Sequence, residues 1–266
     1  MKTFSPEVQE LINTIYRGTN QRQTAFERLK ALQNTESTNA LLRLLDDYRV
    51  PPFYVAIIHE LGQRGELDPM PYFRDILQSN VNAPTHMGNQ LTVIDALADY
   101  GERGATIPLL AYTLKHHRNP YILRQCVYTL GQIGTDDAIY VLSLLMQQHP
   151  DSRVRHDAIM VLGSTRSPHA VNVLLNYLER EDNLTEEGHL AVDCVNAMNS
   201  LLRLWKAEVR PFDLTRWLHV LTYWLYSDNG DYPKSLYTLN KLALPQAEAI
   251  IQQWQQTLWS DEGFFC

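Results

Sequence analysis

The sequence predicts an all-α protein, a solenoid of about seven short antiparallel helix pairs preceded by one capping helix. Three observations predict it. The anchors Leu32, Leu61, Leu97, Leu130 and Leu162 recur 29, 36, 33 and 32 residues apart, a period that holds two short helices and no third. Around each anchor, apolar residues fall at helical spacing, and no stretch alternates as a strand does. Glycine is scarce, 12 of 266 residues, which suits a helix-rich chain.

The clearest unit runs from Asp151 to Leu178. Asp151 is an N-cap residue, able to accept from a first-turn N–H. Val154, Ala158, Ile159 and Leu162 form an apolar stripe, and Gly163 then suits a left-handed C-terminal stop. After a polar corner, Pro168 opens a second helix whose stripe is Ala170, Val171, Leu174, Tyr177 and Leu178. Neither helix can bury its stripe alone, so stacked neighbours are required.

The other units follow in order. Ser5-Pro6 opens the capping helix, with Val8, Leu11, Ile12 and Ile15 on one face and Gly18 as its stop. Shifting the clearest unit back by 32 aligns Ile122, Cys126, Val127, Leu130, Ala138, Ile139 and Leu142 with its stripes. A further 33 brings in Leu97, Leu109 and Tyr112. Phe53, Ile57, Leu61, Phe73 and Ile76 make an earlier copy; Leu32, Ala40, Leu41 and Leu44 make the earliest. A polar loop, residues 80–86, is inserted between two pairs. Beyond residue 178 the pattern loosens. Residues 188–198 read as a sixth first helix, with Leu204, Trp205 and Lys206 in an insertion after it. Asp213 caps a helix bearing Trp217, Leu218, Leu221, Trp224 and Leu225. After the polar turn at 227–231, a last pair carries Leu236 and Leu239, then Pro245, Ile250, Ile251, Trp254 and Leu258. The expected organisation is one domain over 1–266: cap helix 1–20, regular repeats 21–180, divergent repeats 181–266.

The set Val154, Arg155, Ala158, Leu162, Gly163, Ala170, Val171, Leu174 and Leu175 resembles the HEAT repeat, in the short form of the phycobilisome-lyase subclass. The resemblance implies a right-handed, armadillo-like superhelix whose second helices line a concave, protein-binding side. Tetratricopeptide and ankyrin signatures are absent, and an armadillo repeat needs a third helix.

Composition limits the function. The charge of −7 argues against general nucleic-acid binding, which rests on Lys and Arg neutralising phosphates. That acidity also opposes a resemblance to HEAT-like alkylpurine glycosylases. No apolar run is long enough to span a bilayer, and MKTFSPEVQELI lacks the apolar core of a secretion signal. A cytoplasmic protein without membrane association is expected. Cys126, Cys194 and Cys266 have neither disulfide-framework nor zinc spacing; the first two occupy a slot for small apolar side chains.

His156-Asp157 sits where deoxyhypusine hydroxylase, another HEAT-like protein, repeats a His-Glu pair for two irons. The other repeats lack matching pairs, so an exposed polar pair is the preferred reading. His116, His117, His149, His169 and His189 share no metal-ligand spacing, which leaves solvated or capping roles. No metal, cofactor or catalytic residue is assigned. The expected function is a non-catalytic scaffold for another protein or peptide. The alternative is a bilin-lyase-like or chromophore-handling protein, with Tyr112, Tyr140, Arg155 and Tyr177 conceivable around a tetrapyrrole; Tyr112 and Tyr177 also fit as core.

The helical wheel of the second helices turns Asp137, Tyr140, Leu144 and Gln147 outward in one repeat and His169, Asn172, Asn176 and Glu179 in the next. The preceding repeat turns out Gly104, Ile107, Ala111 and Leu114. The candidate partner-binding set is therefore Ile107, Ala111, Leu114, Asp137, Tyr140, Leu144, Gln147, His169, Asn172 and Asn176. Either these residues form an apolar centre with a polar rim, or tight curvature buries them between neighbouring helices.

Overall fold

The structure, a computed structural model, describes residues 4–18, 20–46, 53–78, 87–180, 192–226 and 232–261. The loop expected at 80–86, residues 188–191 with His189, the turn at 227–231, the side chain of Leu258, and Cys266 lie outside the described residues. The described residues are helical throughout, without a strand. They form two compact units, residues 1–122 and 123–266.

In the first unit, α1 (Pro6–Arg17) starts as the sequence requires. Ser5 Oγ accepts from the Val8 N–H, Pro6 occupies the first turn, and Gly18 closes the helix with φ of 68°. Next come α2 (Arg22–Ala31), α3 (Thr35–Leu45), α4 (Tyr54–Gln63), α5 (Met70–Gln78), α6 (Met87–Ala96) and α7 (Thr106–His116). A 3₁₀ turn over Leu97–Tyr100 continues α6. Helix α1 packs on α2 and α3, α4 on α3 and α6, and α5 on α6 and α7. First helices thus stack on first helices, and second on second. The core joins Val8, Ile12, Phe26, Leu29, Leu41 and Ile57. Each fully buried side chain of this size is worth about 1.5–3 kcal/mol.

A buried polar tie crosses this unit. The Arg64 guanidinium donates to Glu60 Oε1 at 2.8 Å, to Ser37 Oγ and Thr38 Oγ1 at 2.8 and 2.9 Å, and to the Lys30 carbonyl at 2.8 Å. The Arg64 and Glu60 side chains are 7% and 11% exposed. A charge so far from water persists only because its donors find acceptors.

Helix α8 (Pro120–Ile133) leads into the second unit, followed by α9 (Asp136–Gln148), α10 (Ser152–Leu162), α11 (Pro168–Leu178), α12 (Val192–Lys206), α13 (Leu214–Tyr226), α14 (Tyr232–Leu242) and α15 (Pro245–Asp261). The expected caps are in place: Asp151 accepts from a first-turn N–H, and Asp213 Oδ1 accepts from the Arg216 N–H at 3.0 Å; Thr135 and Ser167 cap α9 and α11 in the same way. Helices α10, α12 and α14 stack in one row and α9, α11, α13 and α15 in another.

Three expectations are corrected. Gly163 is not left-handed; its φ is −65°. A Cβ there would lie 2.5 Å from Ser200 Cβ and 2.9 Å from Ser200 Cα, so this glycine serves the approach of α10 to α12. A Cβ at Gly131 would likewise run into Val161 Cγ1, and one at Gly62 would lie 2.6 Å from the Tyr100 hydroxyl. Leu204, Trp205 and Lys206 are no insertion but the last turn of α12, with Leu204 fully buried. Of the two roles expected for His117, the solvated one is replaced by the capping one: it is the C-cap residue of α7, 1% exposed, its ring 3.3 Å from the Leu77 carbonyl.

Candidate partner-binding surface

The outer face of the second-helix row in the second unit is set by what the other face buries. Helix α9 buries Ala138, Ile139, Leu142, Ser143 and Met146. One side of the helix is used up, and Asp137, Tyr140, Leu144 and Gln147 are left exposed. Tyr140 is 62% and Leu144 36% exposed. Helix α11 buries Ala170, Val171, Leu174, Leu175, Tyr177 and Leu178, leaving His169, Asn172, Asn176 and Glu179 exposed.

Two contacts show that these faces adjoin along their whole length. At the N-terminal ends His169 Nδ1 lies 3.1 Å from Asp136 Oδ1. At the C-terminal ends Arg180 donates to Gln147 Oε1 at 3.5 Å. Tyr140 and Leu144 therefore lie in the row next to Asn172 and Asn176. On the far side of α11, Arg216 of α13 donates to both carboxylate oxygens of Glu179 and to Asn176 Oδ1. The Arg216 hydrogen bond holds the Glu179 carboxyl below the usual range, and the same contact raises Arg216. Asn176 and Glu179 are thus anchored to the next helix.

The structure therefore brings together Asp137, Tyr140, Leu144, Gln147, His169, Asn172 and Asn176 on one surface. Sequence reasoning missed its continuation on α13, where His219 and Tyr223 are exposed, the latter 58%. The signal was available: these are the complement of the Trp217, Leu221 and Trp224 stripe. A cavity of about 150 Å³ lies between Glu179 and Arg180 on one side and His219 and Tyr223 on the other.

In the first unit the expected set is only partly outward. Ile107 and Ala111 are half-buried and Leu114 is 4% exposed, while Tyr112, read as core, is 36% exposed and stacks on His116 at 4.2 Å. Helix α7 is turned because Thr106 and Thr113 join its buried side with Leu109, Leu110 and Leu114. Their hydroxyls donate to the Tyr100 and Leu109 carbonyls at 2.6 and 2.8 Å, so burial leaves no hydroxyl unpaired.

His156 and Asp157 tie repeats together. His156 Nδ1 lies 2.9 Å from the Asn196 amide, and Asp157 pairs with Arg124 at 3.6 Å. Arg155 pairs with Asp193 at 3.1 Å. The Asp157 side chain is 15% exposed, so the pair is more covered than expected. Among the described residues no three His, Cys, Asp or Glu side chains cluster as metal ligands. Cys126 is fully buried, and burial pushes its thiol far up.

The family model of the PBS lyase HEAT-like repeat matches residues 154–180. One stretch of this chain thus matches a HEAT-like repeat. The match spans α10, the corner and α11, with Arg155, Leu162 and Leu174 in it. A solved complex of CpcE and CpcF of phycocyanin lyase from Nostoc sp. PCC7120 is similar at 15% identity and a TM-score of 0.39, over 96% of both chains. Human deoxyhypusine hydroxylase in complex with glycerol is similar at 16% identity and a TM-score of 0.32, over 94% of this chain and 96% of that one. A comparison with curated proteins gave no match. Among the described residues no helix is long and apolar enough to cross a membrane.

Proposed function

We propose that this chain is a non-catalytic binding module that holds a protein or peptide on the second-helix face of its second unit. The observation that carries the reading is the exposed Tyr140–Leu144 pair on α9, flanked by the amides and acids of α9 and α11. A tyrosine ring with a polar tip and a leucine beside it supply apolar contact area. Asp137, Gln147 and Asn172 supply the hydrogen-bonding rim that such surfaces carry. Tyrosine is well suited to this role because its ring is large, stiff and tolerant of water.

The test is capture of a partner from the native extract by the intact chain and by its Tyr140→Ala/Leu144→Ala variant. Both side chains are exposed, so the variant keeps its melting temperature and loses the partner. Capture that survives the double substitution refutes the surface, and a large fall in melting temperature shows the two residues to be core.

A second reading, chromophore handling, is favoured by the repeat subclass matched at 154–180. Incubation with a linear tetrapyrrole separates the two: a red-shifted, stably bound spectrum supports the second reading, and an unchanged spectrum the first.

A further inference from the structure

We propose that the groove between α12 and α14 binds a small monocarboxylate with an apolar body, at a site separate from the second-helix face. The groove encloses about 400 Å³, within the range of small-ligand sites. Val195 and Met198 of α12 and Pro233 and Tyr237 of α14 supply its apolar lining. The unbranched, polarisable Met198 side chain lets that lining fit more than one apolar shape.

Besides Thr238, three polar side chains line this groove. Lys234 and Asn199 line it and are exposed, and so does Tyr237, 52% exposed. No hydrogen bond or ion pair joins these three groups to another described residue. Thr238 Oγ1, the other hydroxyl among the described lining residues, already donates to the Lys234 carbonyl at 2.9 Å. Lys241 Nζ stands 5.5 Å from the centre of the Tyr237 ring, adding a second positive charge beside it. Among the described lining residues there is no carboxylate. An ammonium, an amide N–H₂ and a phenol can all donate, and Lys234, the one cation among the described lining residues, matches one negative charge. A carboxylate at Lys234 and Asn199 thus places its apolar body on Val195, Met198 and the Tyr237 ring.

The experiment titrates the intact chain with 4-phenylbutyrate and with its uncharged amide, 4-phenylbutyramide, by calorimetry and by protein-observed NMR. The carboxylate binds saturably and shifts the resonances of α12 and α14. The amide binds about fivefold more weakly, the upper range for one exposed ion pair. Lys234→Met, an exposed substitution that keeps the stem, brings the carboxylate down to the level of the amide. No saturable binding at millimolar ligand, equal binding of the two compounds, or undiminished binding to Lys234→Met each overturns the proposal.

Discussion

Replacing Gly163 by alanine separates two explanations for a glycine after the Leu162 anchor. The backbone at 163 is already right-handed, with φ of −65°, so an alanine meets no conformational penalty of its own. In open space it would stabilise the helix end by up to about 1 kcal/mol, the propensity difference between the two residues. Here the new Cβ would sit 2.5 Å from Ser200 Cβ, 2.6 Å from Ser200 Oγ and 2.9 Å from Ser200 Cα. Because backbone is among the obstructing atoms, rotating one side chain cannot clear the clash. Helices α10 and α12 must separate by about an ångström, which disturbs the buried Ser200 hydroxyl that donates to the Ile159 carbonyl at 3.0 Å. Overpacking of this kind costs roughly 1–3 kcal/mol. A urea melt followed by circular dichroism should therefore show Gly163→Ala destabilised. A variant as stable as the parent, or more so, would refute the close-approach account.

Other perturbations follow from the same packing. Arg64→Ala leaves Glu60 buried without its cation, and the expected cost is about 3–5 kcal/mol in the same melt; a loss under 1 kcal/mol would mean that the pair is effectively solvated. Leu162→Ala, at a fully buried anchor, should cost on the order of 2–5 kcal/mol, and a neutral result would contradict the repeat register. Burial holds the His117 ring below its ordinary value of 6.5, with its neighbour His116 opposing the charge as well, and its Nδ1 is buried with no partner among the described residues. The unfolded chain then takes up the proton first. The contribution of this neutral ring to stability is present above about pH 6.5 and is lost as the pH falls through that value toward the folded one. His117→Gln should flatten that part of the melting-temperature profile, and an unchanged profile would place the acid sensitivity elsewhere.

Much of the fold was legible because the repeat period and the apolar stripes give the same answer. Val154, Ala158 and Leu162 recur at helical spacing, and Asp151 and Pro168 mark where helices start. The turned face of α7 was hidden for a physical reason. Thr106 and Thr113 look polar in a sequence, but each hydroxyl finds a nearby main-chain carbonyl and becomes as buriable as valine. That rotates Leu114 inward and Tyr112 outward. Gly163 was misread because a glycine at a helix end can supply either a left-handed residue or a missing Cβ, and only the position of Ser200 distinguishes them. The exposed faces of α9 and α11 followed directly from their buried stripes. Their shared seam did not, because His169–Asp136 and Arg180–Gln147 are contacts between repeats, fixed by how the helices stack. The continuation onto Tyr223 was lost where the spacing loosens after residue 178 and the register no longer carries from one repeat to the next.

The second-helix face is tested most directly by the affinity of a captured partner for the parent chain and for Tyr140→Ala/Leu144→Ala, measured by calorimetry at matched melting temperatures. Central apolar anchors of an interface cost more than about 1 kcal/mol each when truncated. The dissociation constant should therefore rise at least about tenfold in the double variant, with stability unchanged. An affinity equal to that of the parent would contradict the assignment of this face as the binding surface.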